Sequence, residues 1–265
     1  MTATVWTRPR SELTVHTEGI LPTDTAELIR DRLAPVLGPA SSYGRVRVTR
    51  LCDPRLQRPV VAQVDLNLPE RRVRAQVAAP TLPVAALLLA ARTAAQLRRV
   101  PGRGDGRTTS RAAAPGRTWS PELRPPTART LARNKVCSPA VTTVAGAVRD
   151  LEALDYDFHY FREQSTGQDS IVCRCGPGAY RLIQLDPRPG VVVDLVLPLT
   201  VDRVPAPWRT VPQAIAHLDL TGRSFEFFAD TTTGRGRVLY TRYDGHYGLI
   251  TPSEPLWLAD GGEPA

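Results

Sequence analysis

Apolar residues recur with strand or helix spacing over two stretches of this chain, and the interval between them has neither rhythm. Leu13 to Thr17 alternates as a short strand. From about Asp24 a helix is predicted, with Glu27 placed as a capping-box partner. Ala26, Ile29, Leu33, Val36 and Leu37 share one of its faces, and Gly38 is a natural stop, while Pro35 should kink or shorten the last turn. Three strands follow. Val46 and Val48 alternate with Arg45 and Arg47, Val60 to Leu68 alternates throughout, and Val73, Ala75 and Val77 alternate with Arg72, Arg74 and Gln76. Period-two patterning of this length gives each strand one buried and one wet face. A last helix is expected from about Thr81 to Val100, with Pro83 tolerable in its first turn. Its Arg92, Gln96 and Arg99 fall on one stripe, with Arg98 beside it. Residues 1–100 therefore read as an α+β domain of order β-α-β-β-β-α.

Residues 101–134 are rich in Gly, Pro, Ser, Thr and Arg without apolar periodicity, and read as a basic, flexible linker. The rest of the chain contains an internal repeat. Phe158-His159-Tyr160-Phe161 matches Phe225-Glu226-Phe227-Phe228, and Thr166-Gly167 matches Thr233-Gly234. Gly178 to Ile183 matches Gly245 to Ile250 at the same offset of 67 residues, with no gap. Upstream, Val144, Ala147, Val148 and Leu151 match Val211, Ala214, Ile215 and Leu218 at helical spacing. Each unit is thus a helix and three short strands, with Thr-Gly and Pro-Gly or Asp-Gly at the two hairpin turns. A further strand is expected before each helix, clearest at Val191 to Leu197. The modules span residues 135–186 and 187–265. A unit of about 55 residues buries too little surface to be stable alone. Phe158, Tyr160, Phe225 and Phe227 are therefore expected where the two modules meet, forming a pseudo-dimer inside one chain.

Charge divides the chain more sharply than its net of +8 suggests. Residues 1–100 carry 15 Arg against 8 acids, residues 101–135 carry 7 Arg and Lys135 against 2, and residues 136–265 carry 11 Arg against 16. A basic front and an acidic back imply two different partners, of which only the first suits nucleic acid. The strand arginines Arg45, Arg47, Arg72 and Arg74 are expected to join the helix arginines in one basic surface. No apolar stretch follows the N-terminal arginines, and the run Val84 to Ala91 is far short of a membrane span, so a cytoplasmic chain without a membrane partner is expected.

Chemistry finds little support. Cys173 and Cys175 are strand neighbours on one face, but a structural metal site needs about four ligands, and the repeat mates Tyr240 and Arg242 are not ligands. The histidines His16, His159, His217 and His246 are scattered, no nucleophile elbow is present, and the glycines after Pro101 lack strand and helix flanks. Neither an enzyme, a metal nor a cofactor is expected.

The stretch Phe225 to Phe228, Thr233-Gly234 and Tyr243 to Ile250 resembles the C-terminal domain of long-form hibernation promoting factors. The front pattern resembles the ribosome-binding domain of the same S30AE, or ribosome-associated inhibitor, family. The tandem C-terminal copies resemble actinobacterial members induced in hypoxia. The resemblance implies a front domain in the small-subunit cleft, at the mRNA and tRNA sites of the 30S subunit or 70S ribosome, contacting 16S rRNA. The family's basic helix positions fall here on Arg32, Arg92, Arg98 and Arg99, while Ala91, Ala94 and Ala95 stand where charges are usual. The implied outcome is a dormant 70S ribosome and blocked translation. The alternatives are a factor that joins two ribosomes into a 100S particle, or a modulator of a sigma factor or of transcription. Pairing of the modules within one chain implies a monomer.

Overall fold

A computed structural model describes residues 13–37, 43–68, 72–98, 124–176, 178–188, 190 and 198–253. The chain divides into two compact units, one formed by residues 1–114 with 152–156, the other by 115–151 with 157–265.

In the first unit, strand β1 (Leu13–Glu18) leads through helix α1 (Thr25–Leu37) to β2 (Tyr43–Arg50), which lies parallel beside it. Parallel neighbours need a crossover, which α1 supplies. Strands β3 (Val60–Asn67) and β4 (Arg72–Ala79) then add antiparallel, giving the order β1-β2-β3-β4, and α2 (Leu82–Arg98) follows. One sheet face is apolar: Val46, Val48, Ala62, Val64, Val73 and Ala75 are buried against Ile29 and Leu33 of α1 and Ala85, Ala86 and Leu89 of α2. The helices therefore lie on one face and leave the other to the alternate residues. Pro35 does not end α1, which continues to the buried Leu37. Packing of Leu33 and Leu37 on the sheet outweighs the missing amide.

The second unit holds the repeat. The first copy comprises β5 (Leu131–Cys137), β6 (Val141–Thr142), α3 (Val144–Ala153), β7 (Phe158–Glu163), β8 (Asp169–Gly176) and β9 (Ala179–Gln184). The second comprises β10 (Leu199–Val201), β11 (Trp208–Arg209), α4 (Val211–Thr221), β12 (Phe225–Asp230), β13 (Gly236–Thr241) and β14 (Tyr247–Pro252). Helix α4 starts on a capping box, Thr210 with Gln213, and stops at Gly222 in the left-handed region. The hairpin turns place Gly167 and Gly234 at φ 68° and 67°, a conformation that costs glycine nothing.

The two sheets run β10-β9-β8-β7-β6 and β11-β12-β13-β14-β5. Each repeat thus sends its leading strand to the other repeat's sheet. Thr200 lies opposite Arg181, and its repeat mate Arg133 lies opposite Gly248, the mate of Arg181. The exchange is reciprocal and in the same register.

This corrects two sequence expectations. The linker read as 101–134 ends sooner, because β5 begins at Leu131 and a 3-10 turn occupies Pro126–Ala128. Residues 124–130 are also held: Arg124 Nε donates to the carbonyl of Asp244 at 2.7 Å, and Arg129 pairs with Asp219. Nor do residues 135–186 and 187–265 bound separate sheets, since β5 and β10 cross over. The strand expected at Val191 to Leu197 lies outside the described residues, as do 101–123 of the linker.

Candidate nucleic-acid interface and the paired modules

Strand alternation fixes where the first unit's arginines point. On β2 and β4, Arg45, Arg47, Arg72 and Arg74 alternate with the buried valines and so occupy the sheet face away from the helices. Arg45, Arg47 and Arg72 are exposed. Arg74 is not: its guanidinium donates to Gln63 Oε1 at 3.0 Å and to Gln76, and lies 4.0 Å from Asp65. Asp65 sits between Arg45 and Arg74 in the cross-strand register, which offsets charge in the middle of this face.

Arg32 on α1 and Arg98 at the end of α2 are exposed on the helical layer. The expected single basic surface is therefore two surfaces, on opposite sides of a two-layer domain. A side chain on a sheet's outer face cannot join the outer face of helices packed beneath it. The stripe on α2 is also revised. Gln96 is 3% exposed and belongs to the core side, and Arg92 Nε and Nη2 fork onto the Asp155 carboxylate at 2.5 and 2.8 Å. The outward side of α2 is instead apolar, with Val84, Leu87 and Leu88 exposed. Arg99 lies outside the described residues.

In the second unit the two sheets pack face to face over Tyr160, Ile171, Phe227 and Val238, with Phe158, Phe225 and Ile250 at the margin. The rings of Phe158 and Phe225 are 4.7 Å apart, those of Tyr160 and Phe227 6.3 Å, and Phe158 also meets Tyr240 at 6.0 Å. The opposite face of the second copy's sheet packs Phe228, Leu239, Tyr247 and Leu249 against Ala214 and Leu218 of α4.

Polar groups at this junction were not singled out by the sequence. Asp169 is buried, yet its carboxylate accepts from Arg235 Nε at 2.7 Å, Arg235 Nη2 at 3.1 Å and the Gly236 amide at 3.0 Å. Tyr160 Oη donates to the Gly236 carbonyl at 3.0 Å. The hydrogen bond to Asp169 raises the Arg235 pKa further above its ordinary range, and burial drives the Tyr160 phenol upward. A signal was present: at the repeat offset Asp169 aligns with Gly236 and Gln168 with Arg235, so the two copies diverge where they touch.

Burial pushes the Cys173 thiol up to about 11, Cys175 is exposed at a β-bulge, and among the described residues no group of three or more His, Cys, Asp or Glu could hold a metal ion. No helix among them is long and apolar enough to cross a membrane.

The match to a family falls on the paired modules. The family described as Sigma 54 modulation/S30EA ribosomal protein C terminus matches residues 127–182 and again 199–249. Two curated Mycobacterium tuberculosis proteins, from strains CDC 1551 and H37Rv and both named dormancy associated translation inhibitor, are 38% identical over 122 residues. That match covers 43% of this chain and 44% of each relative, so under half the length of either protein is shared. The Thermus thermophilus protein Y N-terminal domain aligns structurally over 32% of this chain and 97% of its own at 15% identity, with a TM-score of 0.27. Two segments of this chain therefore match the S30EA C-terminal family, and each of the matched modules is completed by the other's leading strand.

Proposed function

We propose that this protein is a non-enzymatic ribosome hibernation factor. Its front domain occupies the small-subunit decoding cleft, excludes mRNA and tRNA, and so blocks translation while stabilising dormant 70S particles. The observation that carries this reading is the placement of exposed arginines on both sides of a thin two-layer domain: Arg45, Arg47 and Arg72 on the sheet, Arg32 and Arg98 on the helices. A protein bound to a flat surface needs one basic face. A protein wedged into a crevice walled by folded rRNA is served by two, since phosphates approach from both sides. Such contacts fix position without reading bases. The relatives' names, which speak of dormancy and translation inhibition, agree with this.

The reading extends to the modules. Their pairing uses up the surface that would join a second chain, so the protein acts as a monomer on a single ribosome and does not assemble a 100S particle. Held within one chain, each module sees the other at an effective concentration of the order of millimolar. Sucrose-gradient sedimentation with purified 30S, 50S and 70S particles tests the proposal. Binding to 30S and 70S that falls steeply with salt, a 70S peak that survives low magnesium, and inhibition of translation in vitro are expected. Cosedimentation with RNA polymerase and not with ribosomes would favour the transcriptional alternative, and a 100S peak growing with added protein would remove the monomer reading.

A further inference from the structure

A pseudo-twofold pair of repeats should bury equivalent residues on both sides of its axis, yet the junction described above is lopsided. The first copy contributes the buried carboxylate of Asp169, and the second contributes the guanidinium of Arg235 and the bare backbone of Gly236. The mate of this contact would join Gly236 to Gln168, which brings no carboxylate and no guanidinium.

We propose that Asp169, Arg235 and Gly236 are specificity determinants that make the pairing heterotypic, first copy with second, and exclude pairing of either copy with its own kind. The inference rests on the reading of the modules as an intramolecular pair and names what enforces it. Two first copies facing each other would set Asp169 against Gln168 and Asp169 of the partner, leaving two buried carboxylates with no cation. Space forbids it as well. A Cβ added at Gly236 would stand 2.9 Å from Asp169 Cβ and 2.7 Å from Phe227 Cε2, so only glycine fits opposite Asp169. Two second copies would bring two arginines together without a carboxylate, and Phe227 would replace Tyr160, whose hydroxyl now satisfies the Gly236 carbonyl. Both homotypic pairs lose the two bonds that the Arg235 guanidinium donates to Asp169. Discrimination by unpaired buried charge in the wrong complex is a common way to build specificity. The chemistry of the partner follows: it is a module with arginine then glycine at the start of its second hairpin strand, not a second copy of the same module.

A charge-exchange cycle in the full chain tests this. Asp169→Arg and Arg235→Asp each set like charges together inside one chain. Each variant alone should melt below wild type and lose its compact monomeric profile in light scattering. Mixed in equal amounts, the two should form a heterodimer, because Arg at 169 in one chain meets Asp at 235 in the other and the remaining pair is complementary too. Allowing for the quarter exposure of Arg235, the heterodimer should be favoured over either homodimer by about tenfold or more. The double variant should return to a monomer. If the reversals unfold the unit, Asp169→Asn gives the milder arm: it should lower the melting temperature while the first unit's exchange protection is unchanged. Single variants that stay monomeric with wild-type melting, or a mixture that gives no heterodimer while each single variant remains folded, would overturn the assignment. A wild-type chain that dimerises would instead remove the monomer reading, which light scattering on the unmodified protein reports separately.

Discussion

Phe158 and Phe225 occupy the same place in the two repeats, 67 residues apart, and their ring centroids lie 4.7 Å from each other. A residue that touches its own repeat mate sits beside the axis relating the repeats, as Tyr160 and Phe227 also do at 6.3 Å. The pairing therefore runs through the aromatic face and brings repeat mates together. Truncating a ring on the axis leaves a cavity that neither sheet can fill. Phe158→Ala should lower unfolding free energy by about 2–3 kcal/mol, below the range for fully buried rings because Phe158 keeps partial exposure. Denaturant titration measures it, and a loss below about 0.5 kcal/mol would show that the sheets do not depend on this contact.

Arg45, Arg47 and Arg72 stand exposed on the sheet face, whereas Arg92 already holds a carboxylate. Reversal to Glu at the three strand positions should weaken ribosome binding and flatten its salt dependence by up to about three counterions. Reversal of Arg32 and Arg98 should also weaken binding if the cleft closes on both sides. Cosedimentation across a salt series separates these outcomes, and full binding by the helix variant would reduce the interface to the sheet face.

Gln96 is buried in the first unit and its side-chain nitrogen finds no hydrogen-bond partner among the described residues. Replacing it by Leu removes an unsatisfied amide, which should be neutral or stabilise the domain by about 1 kcal/mol. Ribosome binding should not change. A large loss of binding in Gln96→Leu, with melting preserved, would return this residue to the contact surface.

Gly248 has the Tyr240 ring across it: a Cβ there would stand 2.3 to 2.6 Å from three ring atoms. The first copy has Arg181 at the equivalent site and the smaller Cys173 opposite it, in the same cross-strand register. Gly248→Ala should therefore cost about 1–3 kcal/mol by overpacking. The cost should largely vanish in a Tyr240→Cys background, where thermal melting of the double variant reports the coupling.

His159 on β7 lies 3.9 Å from Asp150 of α3. Burial lowers its pKa, with Asp150 opposing and Lys135 assisting. The unfolded chain then takes up a proton at higher pH than the folded one. Stability is whole above the unfolded value of about 6.5 and falls as pH drops from there toward the folded pKa. The melting temperature should decline between pH 7.5 and 5.5, and decline less in His159→Gln. Equal declines in both would assign the acid sensitivity to other groups. The second copy reverses this pair, with Glu226 on the strand and His217 on the helix at 3.0 Å, so the two helix–sheet contacts carry opposite polarity.

Much of the fold was written in local pattern. Alternation from Val60 to Leu68 and around Val73 set which strand residues face the core, because a period of two leaves no other choice once one face is buried. The repeat offset placed both helices and all six strands after them, and turn glycines marked the hairpins. What the sequence left open was partnership. Nothing in the rhythm of Leu131 to Cys137 says that it joins the second copy's sheet, since backbone hydrogen bonds carry no record of which edge will accept them. The arginines likewise announced a basic domain but not its two faces, because charge on a strand and charge on a helix become neighbours or opposites only when the layers stack. Asp169 and Arg235 are unremarkable 66 residues apart, and only burial at a shared junction turns them into a pair.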